Sequence, residues 1–167
     1  AQGRIDRLVV SGGDGMVHLG LNLCAQTDVP LGIIAAGTGN DIARELGLPV
    51  RNAIEAVERI ERGTARRVDL ARSVIGDGST IWFGGVLAAG FDAAVAMRAL
   101  DGPRWLDGLP RYLWATMAEL ASLRTHRIRI ALDGEPRYDG EAIFASVLNT
   151  RSYGSGMPAV PGARVGD

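Results

Sequence analysis

The sequence contains no lysine, because all 18 of its basic residues are arginine. This absence excludes the phosphate-binding lysine of Walker-type NTPases and the strand lysine of protein kinases. Any phosphate chemistry would therefore depend on backbone N–H groups, arginine, carboxylates and metal ions. The formal net charge of -1 gives no electrostatic sign of a nucleic-acid partner, and we expect none.

Cysteine and long apolar runs are equally scarce. Cys24 is the single cysteine, which excludes a disulfide framework and a thiolate metal cluster, and its apolar neighbours indicate a core thiol. No apolar run approaches the roughly 18 residues of a membrane span. No signal peptide is visible, so we expect a cytoplasmic protein.

The first part of the 167 residues has an α/β pattern. Short apolar runs at 5–10 and 31–36 predict buried strands, and helices are predicted at 16–25, 40–46 and 52–62. In the first helix, Met16, Leu19 and Leu23 fall on one apolar side. This order predicts an α/β domain with a parallel sheet.

The pattern changes after about residue 66. Predicted strands at 67–74 and 80–87 flank Gly76-Asp77-Gly78, and strands at 127–132 and 142–148 follow predicted helices at 92–100 and 111–123. The later helix has an apolar face of Leu113, Met117, Leu120 and Leu123. We therefore predict a β-rich, antiparallel second domain, with a boundary near residue 68 that divides the chain into 1–68 and 69–167.

A glycine-rich segment, Val10-Ser11-Gly12-Gly13-Asp14-Gly15, lies directly between a predicted strand and a helix. Ligands of open α/β sheets bind at such strand ends, where glycine N–H groups and a helix N-terminus can hold an anion. Asp14 would repel phosphate, but it could hold Mg²⁺ or accept a proton from an attacking hydroxyl. Alternatively, Asp14 merely caps the helix.

A second such segment, Gly37-Thr38-Gly39-Asn40-Asp41, follows the next predicted strand. Here too a plain helix cap, by Thr38 or Asn40, is an alternative. A dinucleotide fingerprint fits poorly, because Ile42 stands where its third small residue should be. Two glycine-rich loops at one sheet edge favour a phosphate site over two unrelated turns.

These motifs together resemble the diacylglycerol kinase catalytic domain family, which includes bacterial lipid kinases and sphingosine kinases. The likeness extends over residues 8–167 and rests on four groups of residues: Gly12-Gly13-Asp14-Gly15, Leu31 to Ile34 with Gly37 to Arg44, Val68-Asp69-Leu70 with Gly90 to Ala93, and Asn149 with Tyr153 to Met157. The resemblance implies an ATP- and Mg²⁺-dependent kinase that phosphorylates a lipid alcohol at a membrane surface. It also implies an incomplete nucleotide-binding domain followed by part of a lipid-binding domain.

The resemblance assigns roles to particular residues. Asp14 would lie at the phosphate-transfer centre, and Asp167 with the carbonyl of Arg164 would match a structural Mg²⁺ site. The residues expected to bind nucleotide are Gly12, Gly13, Asp14, Gly15, Met16, Thr38, Gly39 and Asn40. Apart from the resemblance, the apolar run 86–89 before Gly90-Phe91-Asp92 predicts that Asp92 contacts the acceptor hydroxyl in a cleft between the two halves, although capping the next helix is an equal alternative.

The sequence departs from the family pattern at three motif positions and at its ends. Met16 replaces the usual threonine, and His18-Leu19 replaces asparagine-glutamate. The family's opening strands and its C-terminal glutamate base are not found, so we expect the 167-residue chain to be inactive alone. An NAD-kinase-like soluble-substrate kinase and a non-catalytic lipid- or nucleotide-binding fragment stay open as alternatives, as does a homodimer.

Overall fold

The computed structural model describes residues 5–103, 105–106, 108–153 and 156–166. They fall into two compact units, the first formed by residues 1–86 with 148–167 and the second by residues 87–147. The elements in chain order are β1 (Leu8–Gly12), α1 (Asp14–Cys24), β2 (Leu31–Ala35), α2 (Asp41–Glu45), α3 (Ala53–Arg62), β3 (Ala71–Val74), β4 (Thr80–Phe83), β5 (Val86–Gly90), α4 (Phe91–Leu100), α5 (Leu109–Ala121), β6 (His126–Leu132), β7 (Glu135–Ala142), β8 (Phe144–Leu148), β9 (Ser152–Tyr153) and β10 (Met157–Pro158).

The first unit is built on the predicted parallel pair. β1 and β2 are hydrogen-bonded in parallel, with Leu8 opposite Leu31 and Gly12 opposite Ala35. α1 connects them, as a parallel crossover requires. The core of this unit lies between sheet and helices and consists of Val10, Val17, Leu21, Ile33, Ala35 and Ala43.

The buried face of α1 differs from the predicted one. Met16, Leu19 and Leu23 are exposed, and α1 begins at Asp14 instead of residue 16. The buried residues are Val17, Gly20 and Leu21. A Cβ added at Gly20 would lie 2.8 Å from a methyl carbon of Leu31, so the small residue lets the helix lie close to the sheet. The side of α1 that faces the core is therefore the one on which a small residue permits close approach, with Val17 and Leu21 beside it.

The predicted strand 80–87 is two strands, β4 and β5, separated by Gly84-Gly85. Gly84 has no room for a side chain, because an added Cβ would lie 2.9 Å from Leu21 and 3.3 Å from Leu70. The carbonyl of Gly85 accepts the N–H of Asn149, which ties the returning segment to this unit. β3 begins at Ala71 and is therefore shorter than the strand predicted at 67–74.

The β3–β4 hairpin forms at the predicted glycine turn. The two strands pair antiparallel, with Val74 opposite Thr80. In the turn, the Asp77 carboxylate accepts the N–H of Ser79 at 2.8 Å, and hydrogen bonds from Ser79 lower the pKa of Asp77.

Partial burial raises the pKa of the Cys24 thiol at the end of α1, so this cysteine is protonated at neutral pH.

The segment after residue 148 packs with the first unit. The Asn149 side chain donates to the carbonyl of Asp69 at 2.8 Å, and Arg151 pairs with Glu45 at 3.0 Å. Residues 69–86 belong to the same unit. The division into two compact units therefore differs from the predicted division near residue 68. The predicted domain boundary itself stays a prediction.

The second unit contains an antiparallel hairpin whose returning strand is not the predicted one at 142–148. β6 pairs with β7 about Asp133-Gly134, where both residues have the positive φ of a type I′ turn. β7 was not predicted, because it includes Pro136 and is otherwise largely polar; pairing with β6 stabilises it as a strand. β5 pairs with β8, and α4 packs on α5 with Ala115 buried. The apolar face of Leu113, Met117, Leu120 and Leu123 is exposed.

Asn22 on α1 gives a test of the first unit. Its side chain donates to the carbonyl of Trp82 at 2.8 Å and accepts the Trp82 N–H at 2.9 Å. Asn22→Ala leaves the carbonyl and the N–H of Trp82 without this partner. We therefore expect the free energy of unfolding, measured in urea, to fall by about 2 kcal/mol. The control is Asn52→Ala, which removes an exposed N-cap worth about 1 kcal/mol. Equal losses in the two variants would contradict the helix-to-strand link.

Candidate functional site

The two glycine-rich loops lie side by side at the carboxyl edge of the parallel pair. The register places Gly12 at the end of β1 opposite Ala35 at the end of β2. The N–H of Ala36 donates to the carbonyl of Gly12 at 2.9 Å, which joins the loops where they leave the sheet. Residues 12–16 are called loop 1 here and residues 36–40 loop 2. The predicted meeting of two loops at one edge is thus found.

The backbones of the two loops touch. A Cβ added at Gly37 would lie 2.3 Å from the Cα of Gly13, closer than real side chains come to backbone. The converse contact, from a Cβ added at Gly13 to the Cα of Gly37, would be 3.2 Å. Glycine is needed at Gly37 for this contact, so the two loops can act as one surface.

Asp14 connects the loops through its carboxylate. It lies in the first turn of α1, where the positive end of the helix dipole favours a negative charge. Its Oδ2 accepts the N–H of Asn40 at 2.8 Å, a bond across to loop 2. Its Oδ1 is buried, and no donor among the described residues reaches it. Asp14 does not merely cap its own helix, and one carboxylate oxygen is left for another group.

Asn40 is the most enclosed residue of loop 2. It is 1% exposed and has a left-handed backbone, with φ 56° and ψ 38°. Its side-chain oxygen accepts the N–H of Gly37 at 2.9 Å, and its amide nitrogen donates to the Gly37 carbonyl at 2.7 Å. The predicted contact of Asn40 with nucleotide stays a prediction, and the side chain itself is engaged within the protein.

The other predicted nucleotide contacts leave open space. Thr38 is exposed, and no described atom lies within 4 Å of a Cβ added at Gly15. Met16 is half-exposed and packs against Gly12, whose added Cβ would be 2.7 Å from the Met16 Cγ. Met16 therefore fills space beside loop 1, where a threonine would offer a hydroxyl.

Arg44 was not singled out by the sequence analysis. Its side chain is exposed, and its Nε–H donates to the carbonyl of Gly39 at 3.1 Å. A guanidinium is thus held against loop 2 while its other N–H groups can reach an anion. The absence of lysine was the available signal, because any phosphate-binding side-chain cation would then have to be an arginine.

Asp92 lies in the second unit. It occupies the first turn of α4, after Gly90 with φ 79°, and its Oδ2 is 3.4 Å from the Ser146 hydroxyl, which donates to it. The side chain is half-buried. This environment fits an aspartate oriented by a neighbouring hydroxyl, and the contact of Asp92 with an acceptor stays a prediction.

The predicted Mg²⁺ pair is only partly visible, because Asp167 lies outside the described residues and Arg164 is exposed. Within the described ranges, no three residues among histidine, cysteine, aspartate and glutamate gather into a metal-binding group. The free Oδ1 of Asp14 nevertheless suits a hard cation, which prefers oxygen ligands.

None of the helices described here is long and apolar enough to cross a bilayer.

Two family matches divide the chain between them. Residues 1–73 match the diacylglycerol kinase catalytic domain, and residues 85–167 match the YegS C-terminal NAD kinase beta sandwich-like domain. Residues 1–73 therefore belong to the diacylglycerol kinase catalytic domain family, and residues 85–167 to the YegS C-terminal family. The resemblance inferred from the glycine-rich motifs is therefore confirmed.

Several relatives of this family cover nearly all of the chain. It is 45% identical over 158 residues to a diacylglycerol kinase of Mycobacterium tuberculosis, with 95% of this chain and 51% of that protein covered. A Stenotrophomonas maltophilia protein named "Probable lipid kinase YegS-like" is 29% identical, with 98% and 54% covered. The chain spans about half the length of these curated relatives.

A solved structure supports the fold as well. A crystal structure from Bacillus anthracis, of a protein provisionally named diacylglycerol kinase, matches with a TM-score of 0.64 and 27% identity. The match covers 96% of this chain and 50% of that one. The predicted α/β architecture, with a parallel pair followed by antiparallel strands, is confirmed.

Two glycines test the contact between the loops. We expect Gly37→Ala to lower the free energy of unfolding by about 2 kcal/mol, because the new methyl group overlaps Gly13. Gly15→Ala is the control, since its methyl group meets open space and alanine favours the helix. Urea denaturation compares the two variants. Wild-type stability of Gly37→Ala would show that the loops do not touch.

Proposed function

We propose that the intact protein is a lipid kinase that transfers the γ-phosphoryl group of ATP to a hydroxyl of a diacylglycerol-like lipid. The observation that carries the proposal is the junction of two glycine-rich loops at Asp14, which keeps one buried oxygen without a donor. Membership of the diacylglycerol kinase family supports the reaction class. The names of the relatives support a lipid acceptor.

The loops provide the groups that a triphosphate needs. Backbone N–H groups of Gly12, Gly13 and Gly15 and the hydroxyl of Thr38 would donate to phosphate oxygens. Gly39 would allow close approach, with Arg44 held beside it as the cation. Because the chain lacks lysine, these groups and Mg²⁺ would balance the phosphate charge together.

Asp14 has two candidate roles in the transfer. Its free Oδ1 would hold Mg²⁺, or it would take the proton of the acceptor hydroxyl. When bound, Mg²⁺ would neutralise charge on the phosphates. In the transfer, the hydroxyl oxygen bonds to the γ-phosphorus as the bond to the β-phosphate oxygen breaks, and ADP leaves. The hydroxyl proton passes to a carboxylate. The negative charge of Asp14 is essential in both roles.

The acceptor would be reached from a membrane surface. Trp105, 83% exposed, and the neighbouring Leu106 precede α5 and are suited to contact with lipid. Asp92, oriented by Ser146, would contact the hydroxyl to be phosphorylated. Asp167 and the carbonyl of Arg164 would hold a structural Mg²⁺.

A soluble-substrate kinase is the second candidate. It is favoured by the match of residues 85–167 to a domain described as NAD kinase beta sandwich-like. The same loops would then bind ATP, and the acceptor would be a dinucleotide. A non-catalytic lipid- or nucleotide-binding role is the third candidate.

The assay that separates them uses the intact protein, labelled ATP and Mg²⁺. The acceptors are phosphatidylcholine vesicles containing diacylglycerol, the same vesicles containing a sphingoid base, and NAD. We expect label in the diacylglycerol lipid fraction. Label in NAD alone would support the soluble-substrate kinase, and ATP binding without any transfer would support the non-catalytic role.

Asp14→Asn tests the carboxylate in the same assay. The asparagine keeps an oxygen that can accept the Asn40 N–H, so the fold should be retained while the charge is lost. We expect kcat to fall at least about 100-fold with little change in unfolding by urea. Near-wild-type turnover would exclude a central role for Asp14. If excess Mg²⁺ restores part of the activity, Asp14 acts as a metal ligand.

Asp92→Ala tests the acceptor site. We expect a KM for lipid raised about tenfold, or a comparable loss in kcat, with ATP affinity unchanged, because one polar contact worth about 1.4 kcal/mol is lost. Ser146→Ala, which removes the hydroxyl that donates to Asp92, should give a smaller change in the same parameter. Weakened ATP binding with normal lipid kinetics would contradict the assignment. A change in melting temperature alone would leave Asp92 with a structural role only, in the first turn of α4.

A further inference from the structure

We propose that Asn40 is a positioning residue, which fixes the Asp14 carboxylate by locking loop 2 and makes no contact of its side chain with nucleotide. The inference deepens the proposed function and rests on it for its consequence in catalysis. It starts from three hydrogen bonds that converge on one enclosed residue.

The side chain of Asn40 closes loop 2 on itself. Its oxygen and amide nitrogen form a reciprocal pair with the N–H and carbonyl of Gly37, at 2.9 and 2.7 Å. Each half of the primary amide faces its complement, so the loop is held at both ends. The pair fixes the backbone around Asn40, and with it the direction of the Asn40 N–H.

That N–H is the group that meets Asp14. It donates to Asp14 Oδ2 at 2.8 Å, and a bond to a charged acceptor is stronger than a neutral one. With Oδ2 held, rotation of the carboxylate is restricted and Oδ1 keeps a set direction. The rate of phosphoryl transfer depends on such orientation, because displacing a catalytic group by about 1 Å can lower the rate on the order of 100-fold.

The residue type meets all of these requirements at once. The position has φ 56°, which asparagine tolerates better than alanine or branched residues. It also needs one donor and one acceptor at short reach. Aspartate lacks the donor and glycine lacks both groups, and the residue at this position is only 1% exposed.

Loop 1 adds a constraint that makes the lock effective. Gly37, the partner of the Asn40 side chain, is also the residue whose backbone touches Gly13. The same glycine therefore joins the closed loop 2 to the residue before Asp14. A change at Asn40 reaches the Asp14 carboxylate by two routes, through the N–H bond and through the contact of the two backbones.

The test is Asn40→Gly in the intact protein. Glycine keeps the left-handed backbone and the N–H but removes the side-chain pair with Gly37. We expect kcat to fall about 10- to 100-fold with a smaller rise in the KM for ATP. Asn52→Gly, at the N-cap of α3 and outside both loops, is the matched control and should leave kcat unchanged.

A double-mutant cycle separates positioning from plain stabilisation. If Asn40 acts through Asp14, Asn40→Gly should cost kcat little, about twofold or less, in the Asp14→Asn background. An equal loss in both backgrounds would overturn the inference. So would full activity of Asn40→Gly in an enzyme that Asp14→Asn inactivates.

Amide hydrogen exchange decides the inference independently of activity. The residue-40 amide should exchange at least about tenfold faster in Asn40→Gly than in the wild-type protein, as its bond to Asp14 loosens. Unchanged protection would overturn the inference even in an active kinase. Failure of the wild-type protein to phosphorylate lipid, with the exchange result as expected, would instead overturn the proposed function and leave Asn40 as the residue that positions Asp14.

Discussion

The hydrogen bond from the Asn40 N–H to the Asp14 carboxylate is the interaction on which the candidate site depends. It joins two loops that are far apart in sequence but adjacent at the edge of a parallel pair of strands. The pair of strands only places the two loops close to each other. The hydrogen bond and the contact of Gly13 with Gly37 join the loops into one surface and fix the direction of the Asp14 carboxylate.

Much of this arrangement could be predicted from the sequence. The strand, glycine loop and helix order places Asp14 and Thr38 at one edge by topology alone. The pairing of Asn40 with Gly37 could not be predicted, because it depends on a left-handed backbone and on burial. Arg44 was missed for a similar reason, since its Nε bond to Gly39 is a matter of side-chain conformation.

The misassigned elements have a common physical cause. The apolar residues Met16, Leu19 and Leu23 indicate a buried side of α1, but the side that packs on the sheet is the one with Gly20, where an added Cβ would crowd Leu31. β7 forms because β6 pairs with it, although its own residues are not typical of a strand. In both cases a tertiary contact outweighs local pattern, and such contacts are not visible in a single sequence.

If both loops bind one nucleotide phosphate chain, as proposed, they should respond together when a nucleotide is added. The most direct test is a titration of the ¹⁵N-labelled intact protein with Mg²⁺ and a non-hydrolysable ATP analogue, followed through the backbone amide signals. We expect the signals of residues 12–16 and 36–40 to shift together, with one dissociation constant. Shifts in only one loop, or different dissociation constants for the two, would contradict the proposal.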